Sequence, residues 1–361
     1  MNNKKWSVDF SQAPLLVIWE VTRSCALACR HCRASAENRR DPLELSTDEG
    51  KRLIDDVVEM GTPLIVFTGG DPIQRTDLEE LIAHAKSRNL KVGTIPAATP
   101  LLTRERLESL KAAGIDQLAI SIDGPTAAEH DDFRRIPGAF DIAIQGAKWV
   151  REIGVPLQIN TVFGQWNVNR FEEIATLVSE LGAAFWEVFF LVPTGRGSEI
   201  QGCTPDEFEQ IFAKLHAMSM NAPFIIKVTE GQHFRRYVAQ QAKLGNQAPT
   251  ADHRRSIGVS VRPVNSGNGF CFVDHQGNVC PSGFLPLFRG NLREKTIIDV
   301  YRNDPVFRDL RDLSLLKGKC GVCDYKEVCS GGSRARAFAL TGDMFAEDPY
   351  CAYVPAGAPV A

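Results

Sequence analysis

The stretch TRSCALACRHCRAS, Thr22 to Ser35, follows an apolar run beginning LLVIWE at Leu15, and it carries three cysteines, Cys25, Cys29 and Cys32. A structural metal site closes with four ligands, because an open position invites chemistry. Three thiols on one loop therefore leave a ligand to be found. Outward from this loop, short apolar runs recur: LIVFTGG from Leu64, LKVGTIP from Leu90, QLAISIDG from Gln117, VPLQINTVF from Val155 and FWEVFFLVPTG from Phe185. They are near-continuously apolar, as parallel strands covered on both faces are, with helical segments between them. Ser46-Thr47-Asp48-Glu49 and Thr76-Asp77-Leu78-Glu79 each fit a capping box. Gly61, Gly114, Gly154 and Gly182 fall where helices should stop.

Six βα units predict a parallel sheet, either doubly wound or curled into an incomplete barrel. The unusual residues favour the barrel, because they gather after the strands. The cysteine loop follows the first strand and Gly69-Gly70-Asp71-Pro72 the second. Ser121-Ile122-Asp123-Gly124 lies in and after the fourth, Asn160 in the fifth, and Pro193-Thr194-Gly195-Arg196 after the sixth. Only that rim of a barrel brings several strands' loops together.

The bulk numbers exclude some classes. The chain has 361 residues, 44% of them hydrophobic and 24% charged, with a net charge of −3. Nothing global points to nucleic acid or an anionic membrane. The basic pairs Arg39-Arg40, Arg134-Arg135, Arg235-Arg236 and Arg254-Arg255 read as solvated faces. The run Leu15 to Trp19 is too short for a signal core or a membrane span, so the expected compartment is the cytoplasm. There, ten cysteines read as metal ligands or catalysts and not as a disulfide scaffold.

Beyond about Met220 the rhythm breaks. A strand-like FIIKV from Phe224 and a helix around His233 to Lys243 precede LGNQAPTADHRRSIGVSVRPVNSGNG, which reads as a linker or an active-site loop. The expected division is an extension 1–14, a barrel 15–222, a connecting segment 223–269, a cysteine-rich region 270–354 and a tail 355–361. In the fourth part Cys320, Cys323, Cys329 and Cys351 follow a CxxC-x5-C…C pattern. Four thiolates form a closed site, suited to electron relay or to structure, and a zinc ribbon would use the same spacing. Cys271 and Cys280 make at most half a site, and Cys203 reads as an isolated buried thiol.

The CxxxCxxC loop after a first strand resembles that of the radical S-adenosylmethionine (SAM) superfamily, over roughly Leu15 to Met220. The resemblance implies a partial (β/α)6 TIM-like barrel. It also implies a 4Fe-4S cluster on Cys25, Cys29 and Cys32, whose fourth iron is chelated by SAM. One electron then breaks a carbon–sulfur bond, and the 5′-deoxyadenosyl radical takes a hydrogen atom from the substrate. Gly69, Gly70 and Asp71 are similar to the family's GGE-type turn, which holds the SAM ammonium, with Asp in place of the commoner Glu. Ser121 and Asp123 resemble the strand-four residues that meet the ribose or carboxylate, and Asn160 the strand-five contact. His31 matches a position beside the adenine, and it reads equally well as a packed loop residue.

The C-terminal cysteines resemble SPASM/twitch extensions, which implies one auxiliary 4Fe-4S cluster on Cys320, Cys323, Cys329 and Cys351. Ser333 and Pro281-Ser282 stand where cysteines of a second auxiliary cluster would lie. Within that group the chain looks most like heme synthases that oxidatively decarboxylate two propionates of Fe-coproporphyrin III. The matching stretches include EVTRSCALACRHCRA, FTGGDP, ISIDGP, HDDFRRIPGAF, VFFLVPTGRG, GFCFVDHQGNV and SRARAFALTGD. The departure is Ser330 to Ser333, where those enzymes show a cysteine. On this resemblance Arg196, Arg235, Arg236 and the pair Arg254-Arg255 are candidates for propionates, and His233 or His253 for the porphyrin iron. The rival reading is a maturase acting on a short ribosomal peptide. A reducing partner such as flavodoxin or ferredoxin is implied by either. A non-enzymatic iron–sulfur or zinc scaffold would leave the open three-cysteine loop unexplained.

Overall fold

In the computed structural model, which describes residues 8–245 and 263–358, the six apolar runs become six neighbouring parallel strands. These are β1 (Leu16–Thr22), β2 (Leu64–Gly69), β3 (Lys91–Thr94), β4 (Gln117–Ser121), β5 (Leu157–Phe163) and β6 (Phe185–Phe190). Helices cover the outside, among them Thr47–Met60, Leu78–Ser87, Ala139–Glu152 and Phe171–Glu180. Val17, Trp19, Ile65, Phe67, Val92 and Leu118 are buried between strands and helices, which is why these strands read as unbroken apolar runs. The architecture is an α/β parallel sheet curled into an incomplete barrel.

The sheet runs past six strands at both edges. β7 (Ile225–Thr229) pairs in parallel with β6, so FIIKV continues the barrel. β8 (Phe270–Val273) pairs in parallel with the other edge of β1, Leu16 opposite Phe270. The antiparallel β9 (Asn278–Cys280) and β10 (Gly290–Asn291) follow, giving the order β10-β9-β8-β1-β2-β3-β4-β5-β6-β7. The cysteine-rich region is thus anchored to the first strand of the barrel. Tyr301, fully buried, ties the junction by donating its hydroxyl to the Phe10 carbonyl at 2.8 Å.

One capping box forms as read and the other does not. Ser46 accepts from the Glu49 N–H while the Glu49 carboxylate accepts from the Ser46 N–H, and Gly61 closes that helix at φ 89°. The Thr76 box is absent because Asp77 is itself the N-cap. Its carboxylate accepts from Arg75 (2.9 and 2.6 Å) and from the Thr47 hydroxyl (2.6 Å) instead of capping. A box that the reading missed, Thr204 with Glu207, starts the helix Pro205–Ser219.

Candidate active site

The three-cysteine loop lies over the C-terminal ends of the strands. Cys25 and Cys29 are buried and Cys32 is half-buried. An N–H group is aimed at each sulfur: Leu27 N–H at Cys25 Sγ (3.3 Å), Ala36 N–H at Cys32 Sγ (3.4 Å) and Arg134 Nη1 at Cys29 Sγ (3.6 Å). Burial, together with the charge of Asp71, pushes the free Cys25 thiol up to about 12, and burial raises Cys29 as well. Such thiols are poor free nucleophiles. Among the described residues no three or more His, Cys, Asp or Glu side chains gather as a single-ion site requires. A zinc site would need its sulfurs within about 2.3 Å of one point. Three thiols on one loop, each with a directed N–H donor, fit an iron–sulfur cluster.

The loop is held by the turns after β2 and β6. Gly70 N–H donates to the Thr22 carbonyl (2.8 Å) and Asp71 N–H to that of Ser24 (2.7 Å). A Cβ on Gly69 would strike the Thr22 carbonyl, and one on Gly70 those of Ser24 and Arg23. The glycines therefore admit this chain's own backbone, an approach any side chain would block. The Asp71 carboxylate is fully buried and accepts from Ile73 N–H, Ala97 N–H and the Thr99 hydroxyl. Burial raises it against those bonds.

Arg196 is bound to the cysteine loop. Its Nε donates to the Cys29 carbonyl (2.9 Å) and its Nη1 to that of Ala36 (3.2 Å), so it braces that loop, while its Nη2 has no partner among the described residues. Gly195, at φ 54°, lies so close to the Cys32 and Arg33 carbonyls that a Cβ would collide with them.

On the far side, Ser121 ends β4 directly opposite Asn160 of β5. Asp123, fully buried, pairs with Arg134 and accepts from Val162 N–H at 2.8 Å. Burial alone would raise the Asp123 carboxyl, but the Arg134 guanidinium, helped by the Val162 N–H, holds it below the usual carboxylate range. Arg134, which the sequence reading left on a solvated face, thus links Asp123 to Cys29. His31 stacks on Phe133 (4.8 Å, 5°), which stacks on Trp166 (4.6 Å, 21°). Burial and then Arg134 push the His31 imidazole down to about 3, so the ring is neutral.

Asn160 belongs to a polar network on the barrel's inner face. Gln158 donates to Asn160 (2.7 Å) and Glu187 (2.6 Å), Thr229 donates to Glu187 (2.7 Å), and Lys227 donates to Gln158 (3.0 Å). The one polar residue in each of the runs FWEVFF and FIIKV was the available signal for Glu187 and Lys227.

A second cysteine group lies apart from the loop. Cys320, Cys323, Cys329 and Cys351 line one cavity together with His233, Arg236, Lys319 and Gly332. Tyr325 N–H points at Cys323 Sγ (3.4 Å) and Gly332 N–H at Cys329 Sγ (3.1 Å). Gly331 and Gly332 adopt φ of 79° and 76° to make this turn, a region open to glycine at little cost. Four thiols with aimed N–H donors again fit a metal–sulfur group.

Three further expectations are corrected here. His233 is 0% exposed inside this cavity, packed on Phe208 and Phe212, and not at an open porphyrin face. Arg236 pairs with Glu209 and donates to Gln240 (2.6 Å). Arg235 donates its Nε to the Val328 carbonyl (2.9 Å). All three serve the cysteine-rich region because the helix Phe234–Lys243 packs against it. His253, Arg254 and Arg255 lie outside the described residues.

Ser333 does not line the cavity. It caps the helix Arg334–Thr341, accepting from Arg336 N–H (2.9 Å), and its hydroxyl donates to the Glu230 carboxylate. Arg336 and Asp348, both 0% exposed, form an ion pair at 2.9 Å beside it. Cys271 sits in the apolar core, and Cys280 donates its thiol to the Ser282 carbonyl (3.3 Å). Cys203 is buried, as read.

Comparisons with known proteins agree with this geometry. The radical SAM superfamily model matches residues 19–178. An AdoMet-dependent heme synthase of Nitratidesulfovibrio vulgaris is 41% identical over 96% of this chain and 94% of its own length. A PqqA peptide cyclase of Rhodopseudomonas palustris is 30% identical over 95% of this chain and 88% of its own. The crystal structure of Streptococcus suis SuiB bound to S-adenosylmethionine superposes with a TM-score of 0.73 at 16% identity, covering 95% of this chain and 78% of that one. At that identity the likeness concerns the fold alone.

Proposed function

Because the chain belongs to the radical SAM superfamily, we propose that it oxidatively decarboxylates the propionates of an iron–porphyrin, as a heme synthase. It is an enzyme, and its family works with SAM and a 4Fe-4S cluster. The observation that carries the substrate reading is the 41% identity to an AdoMet-dependent heme synthase over nearly the whole of both chains.

Cys25, Cys29 and Cys32 would hold the first cluster. When bound, it would supply the electron that splits SAM and yields the 5′-deoxyadenosyl radical. Asp71, Gly69 and Gly70 position the cysteine loop through the turn after β2. Ser121, Asp123, Asn160 and His31 would line the SAM side of the barrel mouth. Arg134 would face two ways, compensating the Asp123 carboxylate and donating toward Cys29. Each propionate would lose one hydrogen atom, one electron and carbon dioxide, leaving a vinyl group. That electron needs an acceptor, and Cys320, Cys323, Cys329 and Cys351 would hold it as an auxiliary 4Fe-4S cluster. Lys227, on the inner face of the barrel, offers a cation for a substrate carboxylate. A reduced flavodoxin or ferredoxin in the cytoplasm would supply the starting electron. No helix among the described residues is long and apolar enough to cross a membrane.

The test is anaerobic incubation of reconstituted protein with reductant, SAM and Fe-coproporphyrin III, read by mass spectrometry. Mono- and di-decarboxylated porphyrin together with 5′-deoxyadenosine is the expected result. 5′-Deoxyadenosine beside untouched porphyrin would sink the tetrapyrrole reading and direct the search to short peptides, the substrate class named for the cyclase relative.

A further inference from the structure

We infer that His233 donates a hydrogen bond to the iron–sulfur cluster of the four-cysteine cavity and so raises that cluster's reduction potential. This rests on the auxiliary-cluster reading above. His233 lines the cavity with all four cysteines and is 0% exposed. Neither ring nitrogen has a hydrogen-bond partner among the described residues. A buried orphan donor costs about 1–3 kcal/mol. His130 is buried with one nitrogen engaged by Asp123 N–H, whereas His233 has both nitrogens unpartnered and lines a cavity with four thiols.

The neighbours do not supply an acceptor. Asp348 Oδ2 lies 3.7 Å from Nδ1, beyond hydrogen-bond reach. That oxygen already accepts from Ser333 N–H and Arg336 Nη1, each at 2.9 Å. Arg236 and Lys319 of the lining offer donors and no acceptor: Arg236 pairs with Glu209 and donates to Gln240, with its Nε left unpartnered among the described residues, and Lys319 donates to the Cys351 carbonyl (2.7 Å). Phe208 and Phe212, with ring centroids 5.0 and 4.9 Å away, fix the plane of the imidazole. The acceptor left to this N–H is the sulfur of what the cysteines hold. A hydrogen bond there stabilises the charge added on reduction, one of the recognised means of raising such a potential. His233 is thus a positioning and tuning residue for an electron acceptor, not a ligand.

The experiment uses the full chain with Cys25, Cys29 and Cys32 all changed to Ala, so that one cluster remains. Iron and acid-labile sulfide are counted first, and then an EPR-monitored redox titration compares His233 with His233→Phe and His233→Gln. The Phe variant should keep its iron yet show a reduced-to-oxidised ratio about tenfold lower at the parent's midpoint, which is a shift of 59 mV for one electron. The Gln variant, which retains an N–H donor, should recover part of the shift. Full iron with an unmoved midpoint in the Phe variant overturns the inference. If that variant fails to fold, the parent labelled with 15N-histidine decides instead, because absence of a 15N coupling to the reduced cluster is equally fatal. A parent without iron and sulfide would refute the auxiliary-cluster reading itself, a failure distinct from an unmoved midpoint.

Discussion

The two cysteine groups solve one problem in opposite ways. Both aim N–H groups at buried sulfurs, as thiolates in low dielectric require. The loop after β1 does so with three thiols and charged neighbours, Arg134, Asp123 and Asp71, at the barrel mouth. The C-terminal cavity does so with four thiols, a glycine turn and an imidazole between phenylalanines. On the proposed reading, three ligands leave a place for a charged cosubstrate. Four ligands leave none, although Arg236, Lys319 and Lys326 also line that cavity, and such a site would serve electron relay or structure.

The largest expected effect would break this contrast outright if it failed. Cys29→Ala should abolish 5′-deoxyadenosine formation while keeping the iron of the C-terminal site, and Cys323→Ala should do the reverse. Chromatographic assay of 5′-deoxyadenosine and iron counting read both, and retained cleavage in the first variant would contradict the ligand assignment. Next comes Arg134→Ala, which strands the buried Asp123 carboxylate and should cost about 3–5 kcal/mol in urea unfolding. Adding Asp123→Asn should return part of that loss, because the two sites are coupled. Independent, additive losses would show that Arg134 does not serve the pair.

Glu20 joins the two regions, since it contacts Arg33 of the cysteine loop and His275 beyond β8. Burial alone would raise its carboxyl, but Arg33 and His275 hold it at about 2, against an ordinary 4.5. A depressed carboxylate stabilises the fold above its unfolded value, and that contribution fades as pH falls from about 4.5 through 2. Glu20→Gln should therefore cost about 3 kcal/mol at pH 7, with the gap to wild type closing in acid. A gap independent of pH would show that charge is not the cause. The smallest change is Ser333→Ala, which removes a helix cap and the hydroxyl donor to the buried Glu230 carboxylate and should cost about 2 kcal/mol without loss of iron. Iron lost from the C-terminal site would make Ser333 a ligand after all.

The strands, the loop and both cysteine sets were legible because each is local: an apolar run, a capping residue or a short spacing. The tasks of individual polar residues were not, because they depend on contacts between distant segments. Arg196 and Arg236 carry nothing in their own neighbourhood to say that they brace backbone or pair with Glu209. Gly69 and Gly70 resemble part of a turn that holds the SAM ammonium, and nothing local says that the Thr22–Ser24 backbone packs directly against them. Arg134 was passed over as one half of a basic pair, although Arg135 beside it turns away at φ 64° to end the helix. The place of β8 beside β1 had no local signal at all.

That placement bears on how the molecule is made. β1 needs two neighbours, Leu64 of β2 on one side and Phe270 of β8 on the other. During synthesis the first partner emerges early and the second only after every other barrel strand. Until then β1 keeps a bare edge, a liability for any strand, and the pairing that removes it is among the longest-range in the described chain and so slow to form. The barrel's first strand is the last to be finished, and the chain that finishes it leads straight into the cysteine-rich region.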